Sequence, residues 1–405
     1  MSRTTFSALV LAVSIFLANL PSRVHAATVQ ADAAPAAMIL SSPTPYAVFQ
    51  RSASNTARLP IAGHVEGPVA SIEAKATLMS PYHEGVDGKS VEFKEIAKSA
   101  TGDFTGNLEV PAGGWYSITV KANDAAGHLL GEQVVDKVGV GEVFVAAGHS
   151  FCSKFNADAP GKAVDDRVAT CADWTKTPAM PLSFRHCDDP LRPGDENRAS
   201  PWPPVGDALV SRLHVPVLFV CTGMGGSTIQ DWRRGSQDPA VTTRGYPTFR
   251  QTLLHLTPYT GLRAVIWLGN ENDLMRSPSA EEFSRDMEKV IVQSRKDSGY
   301  ANLPWVIAFD AYDPAVTHAV GAEKKQRSKE KLDRGTEQVL QRVPFTYDGP
   351  QTDDLGPEFR RSDGDHFNPA GLEQLGPRFA RKIIQAFFPP PPPVPMPSGG
   401  LPAGG

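Results

Sequence analysis

Val143-Phe144-Val145-Ala146-Ala147-Gly148-His149-Ser150 is an apolar run of strand length that stops at a glycine and delivers a serine two residues later. Three more runs of the same kind follow, at 215–221, 263–268 and 304–309. None alternates polar with apolar; Val215-Pro216-Val217-Leu218-Phe219-Val220 is apolar throughout. Unbroken apolar strands are what a parallel sheet needs when helices cover both of its faces. The pattern therefore predicts a three-layer α/β domain over residues 139–388. In such domains substrates bind beyond the carboxyl ends of the strands, where the chain leaves the sheet. Ser150 stands at such a place and is a candidate nucleophile, although Gly-x-Ser also serves plain turn chemistry.

The segments between the runs can supply the helices. Ser279 to Glu282 reads as a Ser-x-x-Glu capping box, and Phe283, Met287, Val290 and Ile291 follow at helical spacing. Lys324 to Arg334 is a charge run, read as the solvated face of a helix. Leu372, Leu375, Phe379 and Ile383 share one helical face, with Gly376-Pro377 expected to kink that helix or to mark its start. Before this domain the grammar differs. Ile72, Ala74, Ala76 and Leu78 alternate with polar neighbours, as do Tyr116, Ile118 and Val120. Turn signals at Asp87-Gly88 and Pro111-Ala112-Gly113-Gly114 punctuate them. Residues 27–138 are expected to form a small all-β sandwich, an accessory to packing or glycan contact.

The ends of the chain point to export. Arg3, the apolar stretch Ala8 to Leu20 and Val24-His25-Ala26 have the layout of a signal peptide over residues 1–26. That stretch is shorter than the roughly 20 apolar residues of a membrane anchor, so a secreted or periplasmic protein without a membrane span is expected. Residues 389–405 read as a Pro/Gly-rich extended tail. A net charge of −4 gives no footprint for nucleic acid. In an oxidising compartment the four cysteines are expected to pair. Cys171 and Cys187 flank one polar loop and make the simplest pair, and Cys152 and Cys221 could meet across the sheet. There is no Cys-x-x-Cys and no clustering of histidines, so no metal site is expected.

Ester hydrolysis by serine needs a hydroxyl, a base, a group that orients the base, and donors for the oxyanion. Each apolar run ends in a suitable part. The first gives Ser150. The second opens into Thr222-Gly223-Met224-Gly225-Gly226-Ser227, where backbone N–H groups can approach a carbonyl. The third gives Gly269-Asn270-Glu271-Asn272-Asp273, in which Asn270 can donate an amide. Near the end, Asp363-Gly364-Asp365-His366 offers a base with a carboxylate three residues before it. Gly364 permits the turn that brings Asp363 to the imidazole, whereas adjacent Asp365 should face the other way in an extended segment. Asn368-Pro369 should start the helix that fixes this loop.

Taken in that order, these parts resemble the SGNH (GDSL-type) hydrolase superfamily. The segments Val140 to Ser150, Gly225 to Trp232 and Trp267 to Asp273 are similar to sialate O-acetylesterase-like carbohydrate esterases, as are Gly349 to Asp354 and Arg361 to Gly371. The resemblance covers about 138–388. It implies a flavodoxin-like sheet and removal of O-acetyl groups from sugars or polysaccharides through an acyl-enzyme, with no cofactor. By analogy Ser150 is the nucleophile, His366 the base and Asp363 its orienter. The Ser150 N–H, Gly225 or Gly226, and Asn270 would form the oxyanion hole, with His149, Glu271 and Trp232 near the substrate. The flanks depart from the pattern. His149 and Phe151 stand where those relatives usually have glutamine and asparagine, and Gly269-Asn270-Glu271 replaces Gln-Gly-Glu, which leaves the third oxyanion donor to Asn270 or Asn272. A glycan-binding protein on a degenerate esterase fold and a general esterase or lipase are the alternatives.

Overall fold

The computed structural model describes residues 38–79, 88–98, 102–153, 155–171, 182–191, 198–241, 245–312 and 322–389. The expected signal segment and the tail beyond residue 389 lie outside them. The strands in chain order are β1 (Met38–Ser42), β2 (Val48–Gln50), β3 (Thr56–Val65), β4 (Ser71–Leu78), β5 (Val91–Lys98), β6 (Gly102–Pro111) and β7 (Trp115–Asn123). They continue with β8 (Leu129–Gly148), β9 (Val168–Cys171), β10 (Phe184–His186), β11 (Val217–Cys221), β12 (Ala264–Leu268), β13 (Trp305–Phe309) and β14 (Thr346–Gln351). The helices are α1 (Trp202–Leu213), α2 (Ile229–Gln237), α3 (Tyr246–Thr260), α4 (Ala280–Ser298), α5 (Ala322–Arg342) and α6 (Pro369–Phe387). The capping box expected at Ser279 is formed: its side chain accepts the Glu282 N–H and the Glu282 carboxylate accepts the Ser279 N–H. α6 starts at Pro369, where Asn368 Oδ1 accepts the Gly371 N–H at 2.9 Å. Pro377 lies inside α6 and is not its start.

Strand β8 is 20 residues long and organises the rest. Its first half runs antiparallel to β7, pairing Leu129 with Asn123 and Gly139 with Trp115. Its second half lies parallel between β11 and β12, with Glu142 opposite Val217 and Phe144 opposite Ala264. The change of sequence grammar near residue 138 thus falls inside one strand, and the described residues on both sides of it belong to one compact unit. Beyond β8, the β1-β3-β6 sheet buries Leu59, Ile61, Leu108 and Val110 in the same core as Ile72, Ala74, Ile118 and Val120 of β4 and β7.

Across the parallel part the order is β9-β11-β8-β12-β13-β14. After β8 the chain moves to one side for β11 and then returns past β8 to β12 on the other. That reversal opens a crevice at the carboxyl ends of β8 and β12. Successive side chains of these strands enter different cores. Val143, Val145 and Trp267 pack with α2, α3 and α4, while Phe144, Ala146 and Ile266 pack with α1 and α6. Where the parallel half of β8 begins, buried Glu142 accepts from Arg51 Nε at 2.6 Å, Arg263 Nε at 2.7 Å and Gln50 Nε2 at 3.0 Å. This charged knot ties the segment after β2 to the start of β12.

Candidate active site

The crevice is reached through Gly148, which has φ +137° and lies so close to β12 that a methyl group there would sit 1.9 Å from the Leu268 carbonyl oxygen. Only glycine fits. The chain then turns into a short 3-10 segment, Ser150–Cys152, that leaves Ser150 buried but not sealed, 7% exposed. Its Oγ lies 3.5 Å from His149 Nδ1. His149 is fully buried, with the Phe151 N–H 3.3 Å from its Nδ1 and the Glu271 N–H 3.1 Å from its Nε2. Burial, with the charge of nearby His366 second, holds its pKa down to about 3. So low a pKa makes His149 too weak a base to take the serine proton at ordinary pH.

His366 is the other imidazole. Its Nδ1 lies 3.1 Å from Asp363 Oδ2, and Gly364 takes φ +75° to allow the turn. Asp363 Oδ1 also accepts the backbone N–H groups of Asp365 and His366, both at 3.0 Å. Burial opposes ionisation of Asp363, but these N–H groups and the imidazole outweigh it and hold the carboxyl below its ordinary range. Asp365 does not turn away as strand alternation would have it: its Oδ2 is 3.9 Å from the same Nδ1, because residues 361–366 form turns and not a strand. His366 Nε2 is buried and has no hydrogen-bond partner among the described residues.

Three residues that the sequence did not single out bring this loop to the serine. Asn156 is buried and donates Nδ2 to the Phe151 carbonyl at 2.9 Å while its Oδ1 accepts the Phe367 N–H at 3.2 Å. Arg361 donates to the Phe155 carbonyl at 2.7 Å. Arg360 is buried under Tyr312, Phe367 and Phe151 and donates to the carbonyls of Leu355, Asp365 and Thr352. Desolvation lowers the Arg360 pKa to about 10, so it stays charged. As a result the His366 ring packs against Phe151, the residue after the serine, with centroids 5.6 Å apart, and against Phe155 at 5.8 Å. The doublet Arg360-Arg361 just before Asp-x-x-His was the available signal.

Gly225 comes to the site through Phe155, whose ring a methyl group at that position would meet at 2.6 Å; Gly226 is exposed. Asn270 has its amide fixed at both ends. Its Nδ2 donates to the Ala308 carbonyl at 3.0 Å, its Oδ1 accepts from Trp267 Nε1 at 2.8 Å, and the residue is 2% exposed. Asn272 Nδ2 donates to the Ser227 carbonyl at 3.2 Å. Trp232 is a core residue, packed against Tyr246, Phe249 and Trp267, so it meets no substrate. Its indole N–H donates to Ser227 Oγ at 2.9 Å and so braces the glycine turn from beneath. Glu271 is partly exposed at the crevice, whereas His149 is sealed behind the serine.

The expected Cys171–Cys187 bridge is absent, and no disulfide forms among the described residues. The β9–β10 register explains why. Cys171 pairs with Phe184, while the Cys187 N–H bonds to the Val168 carbonyl three residues away. Cys171 enters one core and Cys187 the other, on opposite faces of the sheet. Cys152 and Cys221 do meet: the Cys221 thiol donates to the Cys152 carbonyl at 3.3 Å, and burial followed by the Cys221 contact pushes the Cys152 thiol up. No described helix is long and apolar enough to cross a membrane.

The fold is shared with a carbohydrate acetylesterase from Xanthomonas citri, with a TM-score of 0.54 and 19% identity over 85% of this chain and 73% of that one. A protein from Arabidopsis thaliana matches with a TM-score of 0.44 and 15% identity over 60% of this chain and 98% of that one. An acetyl xylan esterase from Geobacillus stearothermophilus matches with a TM-score of 0.35 and 12% identity over 60% and 95%. No curated protein matches the chain. One family matches over residues 179–385, which takes in the glycine turn, the Asn270 cluster and the Asp-x-x-His loop and begins after Ser150. The chain thus belongs to the carbohydrate esterase, sialic acid-specific acetylesterase family, and is a carboxylic ester hydrolase of the SGNH type with a mixed α/β fold.

Proposed function

We propose that the protein is a secreted carbohydrate esterase that removes O-acetyl groups through a Ser150-His366-Asp363 triad. The observation that carries this reading is the Asp363–His366 pair, held by Asn156 and Arg360 beside the serine turn with Nε2 unoccupied. Asp363 fixes the proton on Nδ1, which leaves Nε2 as base. Ser150 Oγ attacks the acetyl carbonyl while its proton passes to Nε2. The tetrahedral oxyanion falls to the Ser150 N–H, the first donor of its turn and outside the turn's own bonding, and to the N–H of Gly225 or Gly226. Collapse returns the proton to the departing sugar hydroxyl and leaves an acetyl-serine, which water then cleaves by the same base. One N–H of the Asn270 amide goes to Ala308 and its Oδ1 accepts from Trp267, which fixes the side chain and leaves its second N–H as the remaining donor for the hole.

In this reading β8, β11, β12, β13 and β14 form a flavodoxin-like hydrolase sheet and the strands before residue 129 a β-sandwich accessory region. Residues 1–26 direct export. The test is acetate release from acetylated xylan, pectin, sialic acid and aryl acetates by wild type and Ser150→Ala, with fluorophosphonate labelling in parallel. Wild type should release acetate and be labelled at Ser150; the alanine variant should lose several orders of magnitude. Full activity in that variant, or labelling elsewhere, refutes the assignment.

A further inference from the structure

A second histidine stands beside the nucleophile, and the reaction as proposed leaves it unused. His149 meets two fixed backbone donors, Glu271 N–H at Nε2 and Phe151 N–H at Nδ1. A neutral imidazole has one proton and one in-plane lone pair, so it cannot accept both. The contact to Glu271 is the shorter, 3.1 Å against 3.3 Å. The carboxyls near Nε2 do not claim its proton: Asp310 Oδ2 is 3.6 Å away and Glu271 Oε2 3.9 Å, both beyond hydrogen-bond reach. Complete burial moreover raises the Asp310 carboxyl well above its usual range, which disfavours its ionised form. Nε2 is therefore the acceptor and the proton sits on Nδ1. There it faces Ser150 Oγ at 3.5 Å, and the Phe151 N–H is the contact that weakens.

We propose that His149 is a positioning residue for the nucleophile, its Nδ1–H donating to Ser150 Oγ so that the hydroxyl's own proton is turned toward His366 Nε2. The inference rests on the serine-esterase reading above. His149 neither gains nor loses a proton in the cycle; the proton that moves is the serine's, and it goes to His366. As Oγ loses that proton, the bond from Nδ1 becomes one to a developing anion and strengthens. Asp310, Glu271 and His366 are the ionisable groups that face the His149 ring. Because the bond tightens only as charge develops, His149 acts on kcat and leaves KM alone.

Two variants separate this role from a structural one. Leucine fills the ring's place with neither donor nor acceptor, whereas glutamine offers an acceptor to Glu271 N–H and a donor to Oγ. His149→Leu should react with a fluorophosphonate about 10- to 100-fold more slowly than wild type. Its kcat on an aryl acetate should fall in parallel at unchanged KM. His149→Gln should restore both to within a few-fold. Wild-type labelling rates in the leucine variant, or a glutamine variant no faster than leucine, overturn the proposal. A leucine variant that fails to fold does not end the matter, because selectively 15N-labelled histidine in the wild-type protein reports the tautomer directly. A proton on Nδ1 of His149 upholds the proposal, and a proton on Nε2 overturns it. If wild type is not labelled at Ser150, the triad and this role fall together; if it is labelled and the leucine variant keeps pace, only the role of His149 falls.

Discussion

Asp363→Asn keeps the shape of the group that orients His366 and removes its charge. Asp363 Oδ1 is committed to two backbone N–H groups, so the new amide nitrogen must take the place of Oδ2, 3.1 Å from His366 Nδ1. A donor then faces a donor, and the ring relieves the clash by moving its proton to Nε2, where the base should be. The lost attraction between carboxylate and imidazolium at that distance is about 5 kcal/mol at an effective dielectric near 20 and about 1 kcal/mol in bulk water. Asp363 is 37% exposed and Arg361 Nη1 shares its Oδ2 at 3.2 Å, so the value falls between these limits. A loss of about 2 to 4 kcal/mol corresponds to roughly 30- to 1,000-fold in turnover, below the ~10⁴ of a buried triad. Asp365→Asn, whose carboxylate is 3.9 Å away and makes no hydrogen bond to the ring, should cost less than tenfold, as expected for a modest screened contact. The assay is kcat on an aryl acetate at constant pH, with thermal unfolding to check that both variants fold. Equal losses, or a larger loss in Asp365→Asn, would refute the orienting role of Asp363.

Asp273 is buried at the start of α2, and burial raises its pKa to about 7 while its Oδ2 accepts the Ile229 N–H at 3.0 Å. The folded state holds that proton more tightly than the unfolded chain, so its stabilisation is full at low pH and is lost as pH rises through 7, on the order of 4 kcal/mol. Asp273→Asn should therefore flatten the fall in melting temperature between pH 5 and 8 relative to wild type; the same fall in both proteins would contradict the burial argument. Peptide mapping without reduction should find no Cys171–Cys187 link, and any single bridge should join Cys152 and Cys221. A recovered Cys171–Cys187 peptide would mean that the β9–β10 register is wrong.

The parallel strands were legible because burial on both faces leaves a mark, an unbroken apolar run, that few other arrangements produce. Strand β14 carries no such mark: Tyr347-Asp348-Gly349-Pro350 is the polar, proline-bearing sequence of a sheet edge. The chemistry divided along similar lines. The Asp363–His366 contact was legible from its spacing, since a loop three residues long can bring only certain groups together. Asn270 is harder to read, because nothing local says that the indole of Trp267 and the carbonyl of Ala308 will fix its amide. Trp232 misled, since a tryptophan near a glycine turn serves a core as readily as a sugar. The cysteine pairing needed the register of two short strands, which no count of intervening residues supplies.

One unbroken strand serving the antiparallel and the parallel parts of its sheet gives the molecule a built-in alignment tool. The serine's height above the sheet and the face it presents are set by pairing that begins at Leu129, some twenty residues upstream. A one-residue slip along that pairing would carry every side chain of the strand to the opposite face, and the hydroxyl would leave the crevice with them. Sequence change in the early strands is thus screened through the geometry of the reaction, even at positions far from any acetyl group. The β-rich region before the parallel strands is in this sense a jig, and Ser150 is the part it holds in place.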